Sequence, residues 1–426
     1  MEKNCFGGDE LSREEIKVKK SIGILLCVAL LSVFISGVQG APKKVTLRLM
    51  QFKPEITDQV HAMAKQYNKE NPNVIIEAEI LQADYEAVLS TKLNSRNAPD
   101  IFMTNGYFYN QVYLDYSYDL TNEDYIKEID PSTLEAATWN GKIYGFPFLV
   151  ESYAFIYNQE LFAKAGITEL PKTLTQLEAA CRKLQAKGIT PFGNGYREGW
   201  VFKHIFSHLM AGEGNFRETA ERLNRGESTF GALPSAMRIF DLLDLTLKYG
   251  NSRPLETDFT QQIMLLATGE VAMIHQGSWA EEGIRKINPQ IKLAYLPAPV
   301  GEDPDKARVM VDANILYRLN KDSKNLNEAR KWLEWLITSD SGRKFIVEEC
   351  KFIPTIKGIR PPDVQLANET ISYMEKSQTY PWVQGYWPAG WETHLGNLLQ
   401  DYCGGARTKQ QVIAELDRTW SALVNY

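Results

Sequence analysis

The sequence predicts an α/β fold with a largely parallel sheet and helices on both of its faces. Two observations support this prediction. Strand and helix patterns alternate in the first part of the chain, in the order β-α-β-α-β, which is typical of parallel strands joined by crossover helices. A strongly β-prone run at 146–158 is then followed by a series of amphipathic helices.

The predicted elements follow from hydrophobic periodicity. Alternating apolar residues indicate strands, and apolar residues three and four positions apart indicate helices. Strands are predicted at 45–50, 74–80, 101–103 and 271–274, and helices at 58–68, 85–95, 174–187, 236–248, 328–339, 341–349 and 409–423. No low-complexity linker or repeat is visible in this sequence, so any two lobes would be joined through ordered strands.

The most informative local feature is the segment 269–280, GEVAMIHQGSWA. Its short apolar strand is expected to break at Gly277, after which Ser278 can cap a helix and Trp279 lies in the first turn. This arrangement places an aromatic ring beside backbone N–H groups that have no partner within the helix. Ligands usually bind at the carboxyl ends of strands in α/β sheets, so Trp279 is a candidate ligand contact. Packing in the core is the alternative.

The N-terminus has the pattern of a secretion signal. Lys17, Lys19 and Lys20 precede an apolar run at 22–35, and small residues follow this run up to Gly40. A basic region, an apolar region and a small-residue cleavage site are the parts of a signal peptide. The apolar run is shorter than the ~20 residues needed to span a bilayer. We therefore predict cleavage after Gly40 and a secreted, cell-surface or periplasmic protein.

Other interpretations of this N-terminus stay open. Acidic residues precede Lys17, where a leader should be basic, and a true start at Val18 would explain them. An uncleaved membrane anchor is a second alternative. A lipoprotein is a third, although Cys27 lies inside the apolar run and not at its end, where a lipidated cysteine should stand.

Length, charge and cysteine content limit the class of protein. Without residues 1–40 the chain has 386 residues (426 − 40), enough for two lobes with cores. The removed segment contains five basic and five acidic residues, so the net charge of the remaining chain stays at −6. A mildly acidic protein does not suggest nucleic acid or an anionic membrane as partner. Cys181, Cys350 and Cys403 remain and form neither a disulfide framework nor a metal-site spacing. We expect buried thiols, with one disulfide and one free thiol as the alternative.

Five segments of the chain resemble one protein family, in that family's own order. They are 98–106 (APDIFMTNG), 146–167 (FPFLVESYAFIYNQELFAKAGI), 269–280, 329–346 (ARKWLEWLITSDSGRKFI) and 391–423. By these segments the chain is identified as a member of the extracellular solute-binding proteins of ABC transporters, family 1, and it resembles the sugar-binding members. The five segments are distributed along most of the chain behind the secretion signal, from residue 98 to residue 423.

The resemblance implies a two-lobed periplasmic-binding-protein-like fold of type II, with mixed sheets flanked by helices and a hinge between the lobes. One lobe would comprise residues 41–147 plus 313–356, and the other 151–310 plus 359–426. The implied function is to capture a carbohydrate, in particular an oligosaccharide, between the lobes and to deliver it to the permease subunits of an ABC importer. We expect a monomer without a cofactor or a metal ion.

The resemblance also implies a set of ligand contacts. A carbohydrate presents apolar C–H faces and a rim of hydroxyl groups, so its site needs aromatic rings together with carboxylates or amides. Trp279 and Trp391 match stacking tryptophans of the family, and Glu151 and Asp312 lie at the first and second strand crossings. The complete expected set is Trp279, Trp391, Glu151, Asp312, Asn105, Trp387, Tyr107, Tyr85, Trp200 and Lys53. Core packing is the alternative for the aromatic residues, a hinge salt bridge for Glu151, and ordinary turn chemistry for Asn105.

No catalytic motif in the sequence indicates an enzyme. Gly-x-Ser-x-Gly, the P-loop and the Gly-x-Gly-x-x-Gly fingerprint are all missing. His204 and His208 share one helix face, but no Glu follows His204 as a metalloprotease requires, so a structural pair is expected. A secreted glycoside hydrolase stays an alternative because its two carboxylates need not be close in sequence. A binding protein for a polyamine or iron is another alternative.

Overall fold

A computed structural model describes residues 44–81 and 84–424 of the chain. The predicted signal segment, with its cleavage site and Cys27, lies outside the described residues. Within the described ranges, no helix combines the length and the apolar character that a membrane span needs.

The strands and α-helices are labelled in chain order. The strands are β1 (Val45–Gln51), β2 (Val74–Ile80), β3 (Ile101–Asn105), β4 (Thr138–Trp139), β5 (Lys142–Ile143), β6 (Phe146–Asn158), β7 (Thr190–Phe192), β8 (Val271–Gly277), β9 (Leu293–Leu296), β10 (Val309–Leu319) and β11 (Thr379–Tyr380). The helices are α1 (Thr57–Glu70), α2 (Tyr85–Leu93), α3 (Tyr109–Tyr113), α4 (Gln159–Lys164), α5 (Leu174–Gln185), α6 (Trp200–Ala211), α7 (Phe216–Asn224), α8 (Pro234–Lys248), α9 (Phe259–Ala267), α10 (Ala280–Ile287), α11 (Leu326–Thr338), α12 (Asp340–Lys344), α13 (Gln365–Glu375), α14 (Trp391–Cys403) and α15 (Lys409–Val424).

The main sheet is mixed. Seven of its nine strands lie in the order β2-β1-β3-β10-β6-β8-β7, while β11 pairs with β10 and β9 pairs with β6. The pairs β1–β3, β7–β8 and β10–β11 are parallel, whereas β6 and β10 are antiparallel to each other and to their remaining neighbours. The prediction of a largely parallel sheet is therefore wrong, because periodicity does not give the direction of a strand. The mixed sheet implied by the family resemblance is confirmed.

Two long strands connect the two ends of this sheet. β6 has 13 residues and β10 has 11. β10 pairs with β3 through Ile315–Leu319, and β6 pairs with β8 and β9 through residues 153–158. The pairing of β6 with β10 is irregular between Asp312 and Ile315, so the backbone departs from a regular ladder next to the Asp312 carboxylate. The division into two lobes stays a prediction.

Every strand and helix predicted from hydrophobic patterns is present, although several others, among them α6, α7, α9 and α13, were not predicted. The strands at 74–80 and 146–158 have their predicted bounds. β8 extends beyond the predicted end at 274 to Gly277. The prediction stopped early because His275 and Gln276 are polar, but both side chains are buried in the strand. The predicted helix at 341–349 is a short α-helix followed by a π-helical turn at Phe345–Glu349. α6 is not among the helices predicted from periodicity, although His204 and His208 were placed on one helix face. Ten of its twelve residues are buried, which leaves no amphipathic pattern.

Candidate ligand-binding site

Trp279 lies at the turn between β8 and α10, as predicted, but the details of this turn differ. Trp279 is the residue before α10 and has helical backbone angles, and Ser278 makes no capping hydrogen bond. Instead, the Ser278 backbone N–H donates to the Ser152 carbonyl at 2.9 Å, and the Ser152 N–H donates to Ser278 Oγ at 3.3 Å. These two bonds attach the turn to β6.

Gly277 is required because the Trp279 ring lies over it. A Cβ atom at position 277 would be 2.1 Å from Cζ3 of Trp279 and 2.5 Å from the Ser152 carbonyl oxygen. No side chain fits in this space. The Gly-x-Trp pattern therefore has a steric cause: the glycine allows the indole to fold back on the end of its own strand.

A chain of amide groups fixes the orientation of the Trp279 ring. The indole Nε1–H donates to Gln276 Oε1 at 3.0 Å, Gln276 Nε2 donates to Gln262 Oε1 at 2.8 Å, and Gln262 Nε2 donates to the Gly193 carbonyl at 2.8 Å. Both glutamines are buried, while Trp279 is half-buried. The ring is thus ordered before any ligand arrives, and part of it is open to solvent.

Three aromatic residues that the sequence analysis missed surround Trp279. The ring centroids of His204, Tyr153 and Trp382 lie 5.3, 6.0 and 6.1 Å from that of Trp279. They come from α6, β6 and the segment after β11, so only the fold brings them together. The density of aromatic residues around Trp382 was the one available signal.

The first candidate carboxylate, Glu151, forms a buried ion pair. Lys53 Nζ lies 2.6 Å from Glu151 Oε1 and 2.8 Å from Glu55 Oε1, and 5.9 Å from the centroid of the Trp279 ring. Burial acts to lower the pKa of Lys53, but the two carboxylates outweigh burial and raise it. Lys53 is therefore charged at neutral pH, and the carboxylates of Glu151 and Glu55 balance its positive charge.

The second candidate carboxylate, Asp312, is bound by three donors. Its Oδ2 accepts from the Tyr107 hydroxyl at 2.7 Å and from the Trp382 backbone N–H at 3.1 Å, and its Oδ1 accepts from the Ala313 N–H at 2.7 Å. Burial raises the pKa of Asp312 to about 6, although these hydrogen bonds oppose the rise. Tyr107 itself has a φ of +58°, an uncommon backbone conformation for a non-glycine residue.

The structure thus brings five of the expected residues into one connected group. Lys53 contacts Glu151 and lies near Trp279, the Trp279 ring packs near Trp382, and Trp382 and Tyr107 both donate to Asp312. We call this group the central site; its members are Lys53, Tyr107, Glu151, Trp279 and Asp312.

Asn105 and Trp200 are not members of the central site, and each contacts a residue near it. Asn105 is the last residue of β3, pairs with Ile315 and is 7 % exposed. Trp200 is the first residue of α6, and its ring centroid is 5.6 Å from that of His204. Its buried Nε1–H has no hydrogen-bond partner in the described part of the chain.

Tyr85 is not brought into the central site. Its hydroxyl accepts from the Met103 N–H at 3.2 Å and lies 2.7 Å from the Met103 carbonyl and 3.1 Å from that of Met50. The side chain is buried between β1 and β3, so its hydrogen-bonding capacity is used to connect two strands.

Trp391 and Trp387 lie in the main hydrophobic core. Trp391 has no exposed surface: Phe230 stacks on it at 5.0 Å, and its Nε1–H donates to the Leu416 carbonyl at 3.3 Å. Trp387 is 2 % exposed and packs edge-on against Trp391 at 5.0 Å. In this structure no face of Trp391 is open to a ligand, and its ligand contact stays a prediction.

A charged cluster that the sequence analysis missed lies at the starts of three helices. Lys203 in α6 pairs with Glu392 in α14 at 3.2 Å, and Glu86 in α2 lies close to both. Burial raises the pKa of Glu86 to about 7, and the nearby Glu392 adds to this effect while Lys203 opposes it. Because the three residues are far apart in sequence, no spacing pattern could reveal the cluster.

The histidine pair of α6 has structural partners. His208 Nε2 lies 2.7 Å from the Arg308 carbonyl and His208 Nδ1 lies 3.4 Å from His275 Nε2. Burial lowers the pKa of His204 and of His208, the latter to about 4. Across the described ranges, no group of three or more His, Cys, Asp or Glu is arranged to hold a metal ion. In the same ranges, the thiols of Cys181, Cys350 and Cys403 are free.

The fold and the central site define a class of protein. Two long strands cross between the ends of a mixed sheet, and an ordered, partly exposed indole lies near Lys53, which pairs with the Glu151 carboxylate on one of these strands. This arrangement is suited to holding a small polar molecule with an apolar face and is that of a solute-binding protein.

Comparison with known proteins gives the family. The chain belongs to the bacterial extracellular solute-binding protein family, whose profile matches residues 53–343. It is 22 % identical to the multiple sugar-binding protein of Streptococcus mutans, over 87 % of this chain and 91 % of that protein. It is also 22 % identical to the melibiose/raffinose/stachyose-binding protein MelE of Bacillus subtilis, over 94 % of both chains. The solved structure of the solute-binding protein RafE in complex with raffinose superposes with a TM-score of 0.78 at 21 % identity, covering 89 % of this chain and 100 % of that one. The expected periplasmic-binding-protein-like fold is therefore confirmed.

Proposed function

We propose that this protein is the substrate-binding component of an ABC importer, which captures a carbohydrate and delivers it to the permease subunits in the membrane. The observation that carries the proposal is Trp279: its ring is half-buried, oriented by an amide chain, and close to Lys53 and Trp382. An ordered ring with an exposed part is suited to stacking on the apolar face of a sugar.

The charges in the central site favour a neutral ligand. Lys53 is matched by two carboxylates within 2.8 Å, so it offers no free cation to an anionic solute. Asp312 already accepts three hydrogen bonds, which leaves it poorly suited to pair with a polyamine. A polyhydroxyl ligand can exchange hydrogen bonds with these groups without requiring an unpaired charge. The sugar-binding names of the relatives agree with this assignment.

The proposed mechanism is hinged capture. Residues 41–147 plus 313–356 would form one lobe and 151–310 plus 359–426 the other, with β6 and β10 as ordered crossings. Tyr107 would then belong to the first lobe and Trp279 to the second, while Glu151 and Asp312 lie at the crossings. A ligand that contacts both lobes binds the closed state better than the open state and so shifts the equilibrium toward closure.

The protein would be exported by the N-terminal signal at residues 1–40 and act outside the cytoplasmic membrane as a monomer, with no nucleic acid partner. It would bind its sugar without cleaving it, since its family and its relatives are binding proteins.

A thermal-shift screen of the chain without its signal segment tests this function. The panel contains mono- and oligosaccharides, spermidine and Fe³⁺. We expect an oligosaccharide to raise the melting temperature, because a ligand at 100 times its Kd stabilises the folded state by about 2.7 kcal/mol. Chromatography of the bound sugar should recover it unchanged. A shift with spermidine or Fe³⁺ and with no sugar would contradict the proposal.

A further inference from the structure

Arg318 is a buried cation whose hydrogen-bond acceptors are all uncharged. It lies on β10 opposite Phe102 of β3 and has no exposed surface. Burial lowers its pKa to about 9, so Arg318 is charged at neutral pH. Burying a cation among neutral groups is costly unless each of its donors is satisfied. Its five N–H groups donate to five oxygen atoms: Thr104 Oγ1 at 2.6 Å, Asn110 Oδ1 at 2.6 Å, the Tyr144 carbonyl at 3.1 Å, the Asn105 carbonyl at 3.2 Å and Ser117 Oγ at 3.4 Å.

The guanidinium of Arg318 joins the two sides of one loop. Three of its five acceptors belong to residues 104–110, at the end of β3 and the start of α3, and we call these residues the Tyr107 loop. Two of the three acceptors precede Tyr107 and the third follows it. Because the guanidinium is planar and rigid, its bonds fix the distance between the two sides of the loop.

The Tyr107 loop has a backbone that must be held in place. Tyr107 has a φ of +58°, and such a conformation in a tyrosine persists only where the surrounding structure maintains it. The Ala136 carbonyl accepts from the Tyr107 N–H and from Asn110 Nδ2, both at 2.8 Å. Arg318 binds the amide oxygen of Asn110, so it also directs the Nδ2 of that amide toward Ala136. The guanidinium therefore supports the strained residue from two directions.

The Tyr107 loop contributes one side chain to the central site. The Tyr107 hydroxyl donates to Asp312 Oδ2 at 2.7 Å, and this bond opposes the rise that burial causes in the pKa of Asp312. All five donors of Arg318 are used by other acceptors. Arg318 can therefore act on Asp312 only through the position of Tyr107.

We propose that Arg318 is a positioning residue of the central site: its guanidinium holds the Tyr107 loop so that the Tyr107 hydroxyl reaches the Asp312 carboxylate. The expected effect on sugar affinity rests on the proposed carbohydrate-binding function, whereas the bond between Tyr107 and Asp312 can be measured without a ligand. An arginine with a role in stability alone would leave this bond intact in every variant that folds.

The test uses two loop variants and a matched control. Arg318→Lys keeps the charge but replaces the planar fork by a single donor atom, which cannot reach all the acceptors. Asn110→Ala keeps Arg318 and removes one acceptor on the loop, so it carries the comparison alone if Arg318→Lys does not fold. Ser117→Ala is the control, because Ser117 is also a buried acceptor of Arg318 but lies outside the loop. Tyr107→Phe gives the effect of losing the hydroxyl alone.

The first measurement is the titration of the Asp312 carboxyl carbon by NMR in the protein without ligand, with Asp312→Asn to assign the signal. Tyr107→Phe removes a hydrogen bond to the charged form and should raise the pKa of Asp312 by about one unit. Both loop variants should raise this pKa as well, while the control should not. Glu135 and Tyr386, the other titratable groups that act on Asp312, are unchanged in all of these variants.

The second measurement is calorimetric binding of raffinose and stachyose, with each loop variant made alone and together with Tyr107→Phe. Each loop variant should weaken binding about 5- to 10-fold alone but less than about twofold in the Tyr107→Phe background, because the bond that it misplaces is already absent. An unchanged titration of Asp312 in folded loop variants, or equal losses of affinity in both backgrounds, would overturn the positioning role while the carbohydrate function stands. If the wild type binds no saccharide, the proposed function is contradicted, and the titration alone decides the role of Arg318.

Discussion

The indole of Trp279 combines a fixed orientation with an exposed part of its ring. Gln276 accepts its N–H and is itself held by Gln262, and Gly277 provides the space into which the ring folds. Because the ring is already ordered, stacking a ligand on it costs little side-chain entropy. The residue is therefore preorganised for contact.

Replacing this ring should weaken binding more than it weakens folding. We expect Trp279→Ala to lower sugar affinity by roughly 10- to 100-fold, or about 1.4–2.8 kcal/mol, in calorimetric titration. The loss in the free energy of unfolding should be below the ~3–5 kcal/mol typical of a core tryptophan. Trp335→Ala is the control, since Trp335 is also half-buried but contacts Tyr67 and Glu70. Unchanged affinity with a large loss of stability would show that Trp279 has a packing role only.

The carboxylate of Asp312 should matter for the ligand through its charge. Asp312→Asn keeps the shape but replaces one acceptor oxygen by a donor, which conflicts with the donors of Tyr107, Trp382 and Ala313. We expect sugar affinity to fall by about 10-fold, because hydrogen bonds to charged groups are the stronger ones. Asp417→Asn is the control: Asp417 is also half-buried and accepts a backbone N–H, from Phe230, outside the central site. If Asp312→Asn and Asp417→Asn change the sugar affinity equally, the proposed role of the Asp312 charge in ligand binding is contradicted.

At the scale of residues, the sequence predicted which side chains meet better than it predicted which are exposed. Trp279 follows a local pattern, and Lys53, Glu151 and Asp312 lie at strand ends or crossings, so their proximity follows from the topology. Trp391 shares the residue type of Trp279 but is stacked by Phe230, a partner at a distance of 161 positions (391 − 230) that no local pattern contains.

The turn between β8 and α10 is the element on which the site depends. A Cβ at position 277 would lie 2.1 Å from the Trp279 ring, so Gly277→Ala must displace the indole or the strand. We expect a loss of about 1–3 kcal/mol in the free energy of unfolding, as for an overpacked site, together with weaker sugar binding. Chemical denaturation and calorimetry measure the two effects.

Gly199→Ala is the matched control for this turn. Its Cβ would meet no atom closer than 3.5 Å, and it directly precedes Trp200 at the start of α6. We expect little change in stability or binding. The steric account of Gly277 fails if the two variants behave alike.

The buried charged cluster of Glu86, Lys203 and Glu392 at the starts of three helices should make the free energy of unfolding depend on pH. The pKa of Glu86 is raised from 4.5 to about 7 by burial and by Glu392. The stability that Glu86 contributes is therefore complete below the unfolded pKa and is lost as pH rises through about 7. Relative to Glu86→Gln, the wild type should lose on the order of 1–3 kcal/mol in the free energy of unfolding between pH 5 and pH 8.

Denaturant unfolding at several pH values measures this difference. The control is Glu77→Gln, because Glu77 lies exposed in β2 and should leave the pH profile of the wild type unchanged. Parallel profiles for the wild type and Glu86→Gln would show that the Glu86 carboxyl is not perturbed by its neighbours.

At the scale of elements, hydrophobic patterns predicted seven helices and five strands, including the buried β6, but they did not predict α6, α7, α9 or α13. α6 and the last part of β8 were missed because buried polar groups such as His208 and Gln276 interrupt the apolar pattern, while their hydrogen bonds make burial acceptable. The antiparallel direction of β6 and β10 depends on chain topology, which periodicity does not contain.

For the whole molecule, the crossing strands β6 and β10 carry two residues of the central site and are also the proposed hinge between the lobes. The central site takes residues from segments that follow β1, β3 and β8 and from β6 and β10 themselves. If these segments belong to two lobes, the ligand is the element that holds the lobes together, and the binding energy drives closure.

Solution scattering with and without an oligosaccharide identified in the thermal screen tests hinged capture most directly. We predict that the radius of gyration of the wild type decreases when the sugar binds, and that Trp279→Ala needs a roughly 10- to 100-fold higher sugar concentration for the same decrease. Tight binding of the sugar with no change in the radius of gyration would contradict the mechanism.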